Sequence, residues 1–343
     1  MKWCLGVAAL AVPLACGAAH ATTYSAIYAF GDSLSDVGNV FAATGGAVPA
    51  PLFPSGASAY FDGRFSNGPN WVDDLSARLG LGPVLPSALG GDDFAVGGAE
   101  TGTTSAHSAV PLVDLNAQVD EFKVVHTSPA SDALYTLDIG ANDIGDAISA
   151  YVSNPTFDLA AFVAQAAGNT VGAVDELYAH GARNLLYYEV PDLSLVPAFA
   201  GAGALGGELA AQFNADVLAG IKPLEATGLA VYDAPVFSAL QTVVSDPARF
   251  GFANVTSPCL SGNYASPGSE CADPDHYLFW DSEHPTAAGH ALTAEVAYAA
   301  LTGASDPATA PEASTWVMML IGFGGLGFAS WRARTARVGA AAS

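Results

Sequence analysis

Four short, nearly unbroken apolar runs, at residues 24–30, 133–139, 184–190 and 228–233, punctuate the chain. Runs of this length with no alternating polar face suit strands covered on both sides. Between them the period changes to that of a helix. Trp71, Leu75 and Leu79 recur at helical spacing, Leu159, Phe162, Val163, Ala166 and Ala167 follow Asn154-Pro155, and Leu205, Leu209, Phe213, Val217 and Ile221 form a further stripe. A last helix is predicted over 286–301, opening just after Pro285. Strands alternating with helices predict one α/β domain over residues 22–303, with a parallel, doubly wound sheet whose ligands bind beyond the carboxyl ends of the strands. Residues 41–63 and 80–113 are rich in Gly, Pro and Ser and are predicted to be loops, some of them overhanging that end.

Both ends of the chain break this pattern. Lys2 precedes an apolar stretch over residues 5–15, and Ala19-His20-Ala21 puts small residues where a signal peptidase reads, so residues 1–21 are read as a secretory signal. Cys16 after Leu14-Ala15 also admits a lipoprotein reading, against which Pro13 stands where such sites want a Leu-like residue. Residues 304–310 read as a linker. After it, Pro311-Glu312-Ala313-Ser314-Thr315-Trp316 leads into the uncharged segment 317–331 and then Arg332, Arg334 and Arg337. At a rise of about 1.5 Å per residue that segment reaches only about 22 Å, short of a hydrocarbon core of roughly 30 Å. The tail, residues 311–343, resembles the PEP-CTERM sorting signal of diderm bacteria, which an exosortase recognises, with Ala313 in place of the second Pro. A simple C-terminal anchor helix with a cytoplasmic basic flank is the alternative. Either reading sends the domain outward, to the medium, the cell surface or the exopolysaccharide matrix.

Composition fits a single large core and removes some partners. Of 343 residues 51% are hydrophobic and 13% charged, with a mean hydropathy of +0.34, yet the middle of the chain holds no uncharged apolar run near a membrane span in length. Ten Lys and Arg against 33 Asp and Glu give a formal charge of −23, and residues 22–311 alone keep 32 acidic and 6 basic side chains. Such a surface repels phosphate backbones and anionic headgroups, which excludes nucleic acid as a partner. Of the four cysteines, Cys4 and Cys16 fall in the signal, leaving Cys259 and Cys271 in a Pro/Gly/Ser-rich loop. In an exported chain they form a disulfide candidate, with two unpaired thiols as the alternative.

The chemistry is concentrated in four segments. The first strand runs into Gly31-Asp32-Ser33-Leu34-Ser35-Asp36, so Ser33 stands at a strand's carboxyl end, where a nucleophile belongs, with Gly31 permitting a tight exit and a following helix start supplying backbone donors. A serine beside Asp before a helix is also an ordinary cap, and the second Gly of an α/β-hydrolase elbow is missing. Near the other end stands Asp281-Ser282-Glu283-His284-Pro285. A serine hydroxyl needs a base, and that imidazole needs a carboxylate to fix its tautomer; Asp281 and His284 on one turn meet both needs, with His290 and His276 as spare bases. Asp93-Phe94-Ala95-Val96-Gly97-Gly98 offers a backbone amide, and Asp138-Ile139-Gly140-Ala141-Asn142-Asp143 a carboxamide, the donors an oxyanion requires.

Together these segments resemble the four blocks of the GDSL, or SGNH, hydrolase family, in the family's order and over most of residues 24–302. The likeness extends to Arg64-Phe65-Ser66-Asn67-Gly68, to Val190-Pro191-Asp192 and to Phe279-Trp280, as in the secreted esterase and lipase branch. It implies a flavodoxin-like three-layer αβα sandwich with five parallel strands and an ester hydrolase that needs no metal or other cofactor. By position it makes Ser33 the nucleophile, His284 the base, Asp281 its orienting acid, and Gly98 and Asn142 oxyanion donors beside the Ser33 amide, with one residue of ambiguity between Gly97 and Gly98. Asp93 departs from the Asn of many relatives. The implied substrate is a short-chain, aryl or neutral lipid ester, with deacetylation of exopolysaccharide or acyl transfer as alternatives; signal peptidase and exosortase are the only protein partners implied. Phe41, Phe53, Tyr60, Phe61 and Phe65 are candidates for an apolar acyl cleft. Two other readings compete: a metal phosphoesterase built on Asp32, Asp36, Asn142, Asp143 and His284, and a non-catalytic glycan-binding matrix protein on the same fold.

Overall fold

A computed structural model of the chain describes residues 23–50, 52–53, 55–102 and 114–303. The leader, lipoprotein, linker and sorting-signal expectations fall on residues outside these. Among the described residues no helix is long and apolar enough to cross a membrane.

The four apolar runs form the central sheet. Strands β1 (Ile27–Gly31), β2 (Leu134–Asp138), β3 (Asn184–Tyr188) and β4 (Ala230–Ala234) lie in that order, all parallel. Their side chains alternate between two cores. Tyr28, Phe30, Tyr135, Leu137, Leu185 and Tyr187 enter one cluster, and Ile27, Ala29, Leu134, Leu186 and Tyr188 the other. With both faces covered, β1 to β3 are almost wholly buried and mostly apolar, whereas the edge strand β4 is only part-buried and carries the exposed Asp233.

Helices α1 (Asn39–Ala43) and α2 (Trp71–Arg78) follow β1, and α3 (Leu115–Val125) precedes β2. Helices α4 (Ala141–Ser153) and α5 (Leu159–His180) join β2 to β3, while α6 (Leu205–Glu225) joins β3 to β4, and α7 (Val236–Ser245) comes next. The pairs β5 (Asn254–Pro258) with β8 (Tyr277–Phe279) and β6 (Leu260–Asn263) with β7 (Ser266–Glu270) precede the last helix, α8 (Ala287–Thr302). Helices α3 to α6 bury Leu115, Phe122, Val163, Val174, Phe213 and Val217 against one face of the sheet. Helices α2 and α8 bury Trp71, Leu75, Ala294 and Ala297 against the other, giving the three-layer αβα arrangement.

Among the described residues the sheet has four strands, where the family resemblance implies five. Residues 92–96 run along the free edge of β1, with Ala29 N–H donating to Asp92 O at 3.0 Å, Phe94 N–H to Ala29 O at 2.7 Å and Val96 N–H to Gly31 O at 3.1 Å. The Asp93 carboxylate accepts Ala95 N–H at 2.9 Å and Val37 N–H at 2.7 Å, so this segment turns away before a regular strand forms.

Cys259 and Cys271 are bonded, closing the base of the β6–β7 hairpin. The hairpin itself is polar and borrows its core from elsewhere, through Phe53, Ala59, Tyr60, Leu260 and Trp280 around the disulfide. Tying residues 12 apart stabilises the fold by about 3 kcal/mol through loss of unfolded-chain entropy. The double variant Cys259→Ser/Cys271→Ser is expected to lose that amount in urea unfolding; an unchanged midpoint and slope would contradict it.

Candidate active site

The register of β1 on β2, from Ile27 opposite Leu134 to Gly31 opposite Asp138, brings two chain exits to one end of the sheet. At the first exit Gly31 has φ +153°, and a Cβ there would stand 2.2 Å from the Asp138 carbonyl oxygen. Only glycine lets the chain pass this close to β2. Gln118 clamps the same residue, accepting Gly31 N–H at 3.0 Å and donating to Gly31 O at 2.8 Å. Ser33 then sits in a turn in which Ser35 and Asp36 N–H both donate to Asp32 O. The helix expected to begin at once is delayed to Asn39. Asp36 takes the N–H groups of Gly38, Asn39 and Val40 that would otherwise continue the turn upstream.

Asp281 and His284 meet on one turn. Asp281 Oδ1 accepts Glu283 N–H at 2.9 Å and His284 N–H at 2.8 Å, and His284 Nδ1 lies 2.8 Å from both carboxylate oxygens. Since a carboxylate only accepts, Nδ1 carries the proton and Nε2 is free to accept. Nε2 stands 2.8 Å from Ser33 Oγ. Asp281 and His284 are both 2% exposed. Burial works against a charged His284, but the Asp281 carboxylate overrides it and raises the imidazole to about 8. Asp281 is likewise opposed by burial, yet His284 and the two backbone donors hold it below the usual carboxylate range. His290 is buried elsewhere, where burial lowers it to about 3, and His276 is exposed beside Asp273, so neither spare base reaches Ser33.

Ser33 and His284 border a cavity of about 410 Å³ whose wall includes Asp32, Gly97, Gly98 and Asn142. Gly97 N–H donates to Asp36 Oδ2 at 2.9 Å, which leaves Gly98, at φ +83°, as the residue with an uncommitted amide there among the described residues. Of the two glycines, only Gly97 therefore has its amide engaged with another of the described residues. Asn142 donates one amide hydrogen to Ala99 O at 2.9 Å, and Nδ2 lies 3.4 Å from Asp32 Oδ2, so its second hydrogen is only loosely held.

Asp32 shares the cavity wall with His284, but among the described residues no three His, Cys, Asp or Glu side chains come together as a metal site, as the phosphoesterase reading requires. Asp36 is turned to four backbone N–H groups, and Asp143 accepts from Thr101 N and Oγ1. Asp32, at the cavity wall, and Asp93 and Asp138 are all buried; burial raises all three, Asp32 to about 7.

Of the five aromatic residues considered for an acyl cleft, only Phe65 lines the cavity, its ring 5.1 Å from that of His284. Phe53 packs around the disulfide and Phe61 is exposed. Tyr60 does something the sequence did not signal: its hydroxyl donates to Asp281 Oδ2 at 2.8 Å, across 221 positions of chain. Burial and the neighbouring carboxylate hold that phenol protonated. The Arg64-Phe65-Ser66-Asn67 stretch braces the same turn, with Ser66 Oγ donating to Pro285 O at 3.0 Å and Ala287 N–H to Asn67 Oδ1 at 2.8 Å. Arg64 locks this stretch onto α2 through two bonds to Asp73, at 3.0 and 2.9 Å. Tyr264, at the tip of the disulfide-tied hairpin, completes the wall beside His284.

A three-layer α/β fold that aligns Asp, His and Ser beside amide donors defines the class of serine esterases and acylhydrolases. The chain belongs to the GDSL-like lipase/acylhydrolase family, whose model matches residues 27–297. It is 30% identical to esterase EstA of Pseudomonas aeruginosa over 334 residues, covering 84% of this chain and 48% of EstA. Thermolabile hemolysin of Vibrio parahaemolyticus is 27% identical over 290 residues, 78% of this chain and 62% of the hemolysin. Phosphatidylcholine-sterol acyltransferase of Aeromonas hydrophila is 28% identical over 327 residues, 92% and 88% of the two chains. The chain thus spans about half the length of EstA and under two thirds of the hemolysin.

Proposed function

We propose that this chain hydrolyses carboxylic esters through an acyl-enzyme on Ser33. His284 Nε2 takes the Ser33 proton as Oγ attacks the acyl carbon, and returns it to the departing alcohol. Asp281 holds the imidazole and offsets its charge. The amides of Ser33 and Gly98 with the Asn142 carboxamide receive the oxyanion. Water, activated by the same imidazole, then releases the acid and restores Ser33. The observation that carries this reading is the unbroken line from Asp281 through His284 to Ser33, with both contacts at 2.8 Å.

Substrates of this site are short-chain, aryl or neutral lipid esters. The acidic surface disfavours anionic aggregates. Names among the relatives include an esterase, a hemolysin and an acyltransferase, which support acyl chemistry while leaving the acceptor, water or another alcohol, to experiment. Export to the surface or matrix is supported by the segments before residue 22 and after residue 310 and by the Cys259–Cys271 bond, which belongs to an oxidising compartment.

The test is covalent labelling. A fluorophosphonate is expected to attach once, to Ser33, and not to Ser33→Ala; an unlabelled wild-type protein would favour the glycan-binding reading and end this one. The pH dependence has a definite sign. Protonated His284 cannot accept from Ser33, so kcat/KM is expected to fall about tenfold per pH unit below about 8 and to level off above it. A profile flat from pH 6 upward would contradict the assignment of the base.

A further inference from the structure

A second cavity, of about 110 Å³, lies between α7 and α8 and shares Leu34, Pro191, Val196 and Glu283 with the cavity that holds Ser33. Leu34 directly follows the proposed nucleophile and forms a wall of both chambers. Val236, Ala239 and Val243 of α7 face Leu292 and Val296 of α8 across the second one. Three of its hydroxyl groups already donate within the protein. Ser238 Oγ donates to Pro235 O at 3.2 Å, Thr242 Oγ1 to Ser238 O at 2.9 Å and Thr293 Oγ1 to His290 O at 3.0 Å. An occupant is met mainly by apolar side chains, with Glu283 and Tyr188 the other polar exceptions. Helices that could have closed on each other leave room here, against the close packing normal in an interior.

We propose that this chamber receives the acyl chain of the ester cleaved at Ser33. The assignment rests on the reading of Ser33 as nucleophile. The two chambers differ in chemistry as the two halves of an ester do. The Ser33 chamber carries the oxyanion donors together with Glu100 and Asp146, and suits the carbonyl and a polar alcohol. The chamber beyond Leu34 is lined mostly by Leu, Val, Ala, Pro and Phe side chains, and suits hydrocarbon. Glu283, the charged side chain common to both, stands at their junction and disfavours a chain that carries its own carboxylate. Size sets the length. A cavity of roughly 150 Å³ holds a benzene ring, so this one takes an unbranched chain of about four carbons.

Two substrate series separate acyl from alcohol. In p-nitrophenyl esters from acetate to decanoate, the wild-type kcat/KM is expected to peak near butyrate. Ala239→Leu, which fills the chamber from α7, is expected to lower butyrate and hexanoate turnover at least tenfold while acetate turnover holds, since each methylene that loses its seat costs roughly tenfold or more. Val243→Ala enlarges the chamber and is expected to move the peak to longer chains, which keeps the test decisive if the leucine variant fails to fold. An acyl profile identical in all three proteins overturns the proposal. So does a shift seen instead in alkyl acetates of increasing alcohol length, which would assign the chamber to the leaving group. Acetate turnover with an unshifted profile leaves the hydrolase reading standing, whereas no turnover of any ester by the wild type overturns both.

Discussion

Ser33→Ala is expected to reduce kcat for p-nitrophenyl butyrate by about a millionfold. The magnitude follows from the absence of a substitute. Among the described residues His284 Nε2 has Ser33 Oγ as its hydrogen-bond partner and no second hydroxyl within bonding distance. With Oγ gone, attack falls to water that no group of the site positions in line. Gly98 and Asn142 remain to bind an oxyanion, so a residual rate of roughly 10³ to 10⁴ over the uncatalysed reaction is expected. The fold is indifferent to the change, because the turn around Ser33 is held by the Asp32 carbonyl and the Asp36 carboxylate rather than by Oγ. An unchanged melting temperature with lost turnover is the expected pair of results; turnover like that of the wild type would end the proposal.

Asp281→Asn carries the second-largest effect, a loss of about 10⁴ in kcat at pH 9. An asparagine can still accept the backbone N–H groups of Glu283 and His284, so the turn persists. Its NH₂, however, presents a donor to Nδ1. That favours the tautomer with the proton on Nε2, the atom that must accept from Ser33. The charge is lost as well. Burial then acts on His284 against only the weaker pull of Glu283 and Asp32, so the acid limb of kcat/KM is expected to move below its wild-type position near pH 8. Tyr60→Phe keeps the carboxylate and removes one donor to it, for an expected loss nearer tenfold. Equal losses in the asparagine and phenylalanine variants would contradict the tautomer argument.

Strands β1 to β3 were legible because they are buried on both faces: runs at 133–139 and 184–190 contain β2 and β3 whole, and the helical stripes at 159–167 and 205–221 fall inside α5 and α6. Helix α4 was hidden by its own chemistry. Asn142 and Asp143 open it, and its apolar face is reduced to Ile144, Ala147 and Ile148. The β6–β7 hairpin gave no alternating signal, since residues such as Ser261, Gly262 and Asn263 face solvent and a covalent bond replaces a core. Around Ser33 the motifs carried the local geometry, because Asp281 and His284 are three residues apart and Gly31 is next to the turn it permits. What brings Tyr60 to Asp281, or α7 beside Leu34, is tertiary closure of distant segments, which no spacing along the chain encodes.

Asp32, Asp93 and Asp138, buried in the fold, give the protein an appetite for acid. Each holds its proton to a higher pH in the fold than in the open chain, where a carboxyl titrates near 3.8. Folding therefore takes up protons, and the stability linked to them is full below that value and drains away as pH rises through the native pKa of each group, about 7 for Asp32. His284 asks for the opposite, since it becomes a competent base only above about 8. Catalysis and endurance are thus set against each other along the pH axis: the conditions that free the imidazole are those in which the scaffold around it loosens.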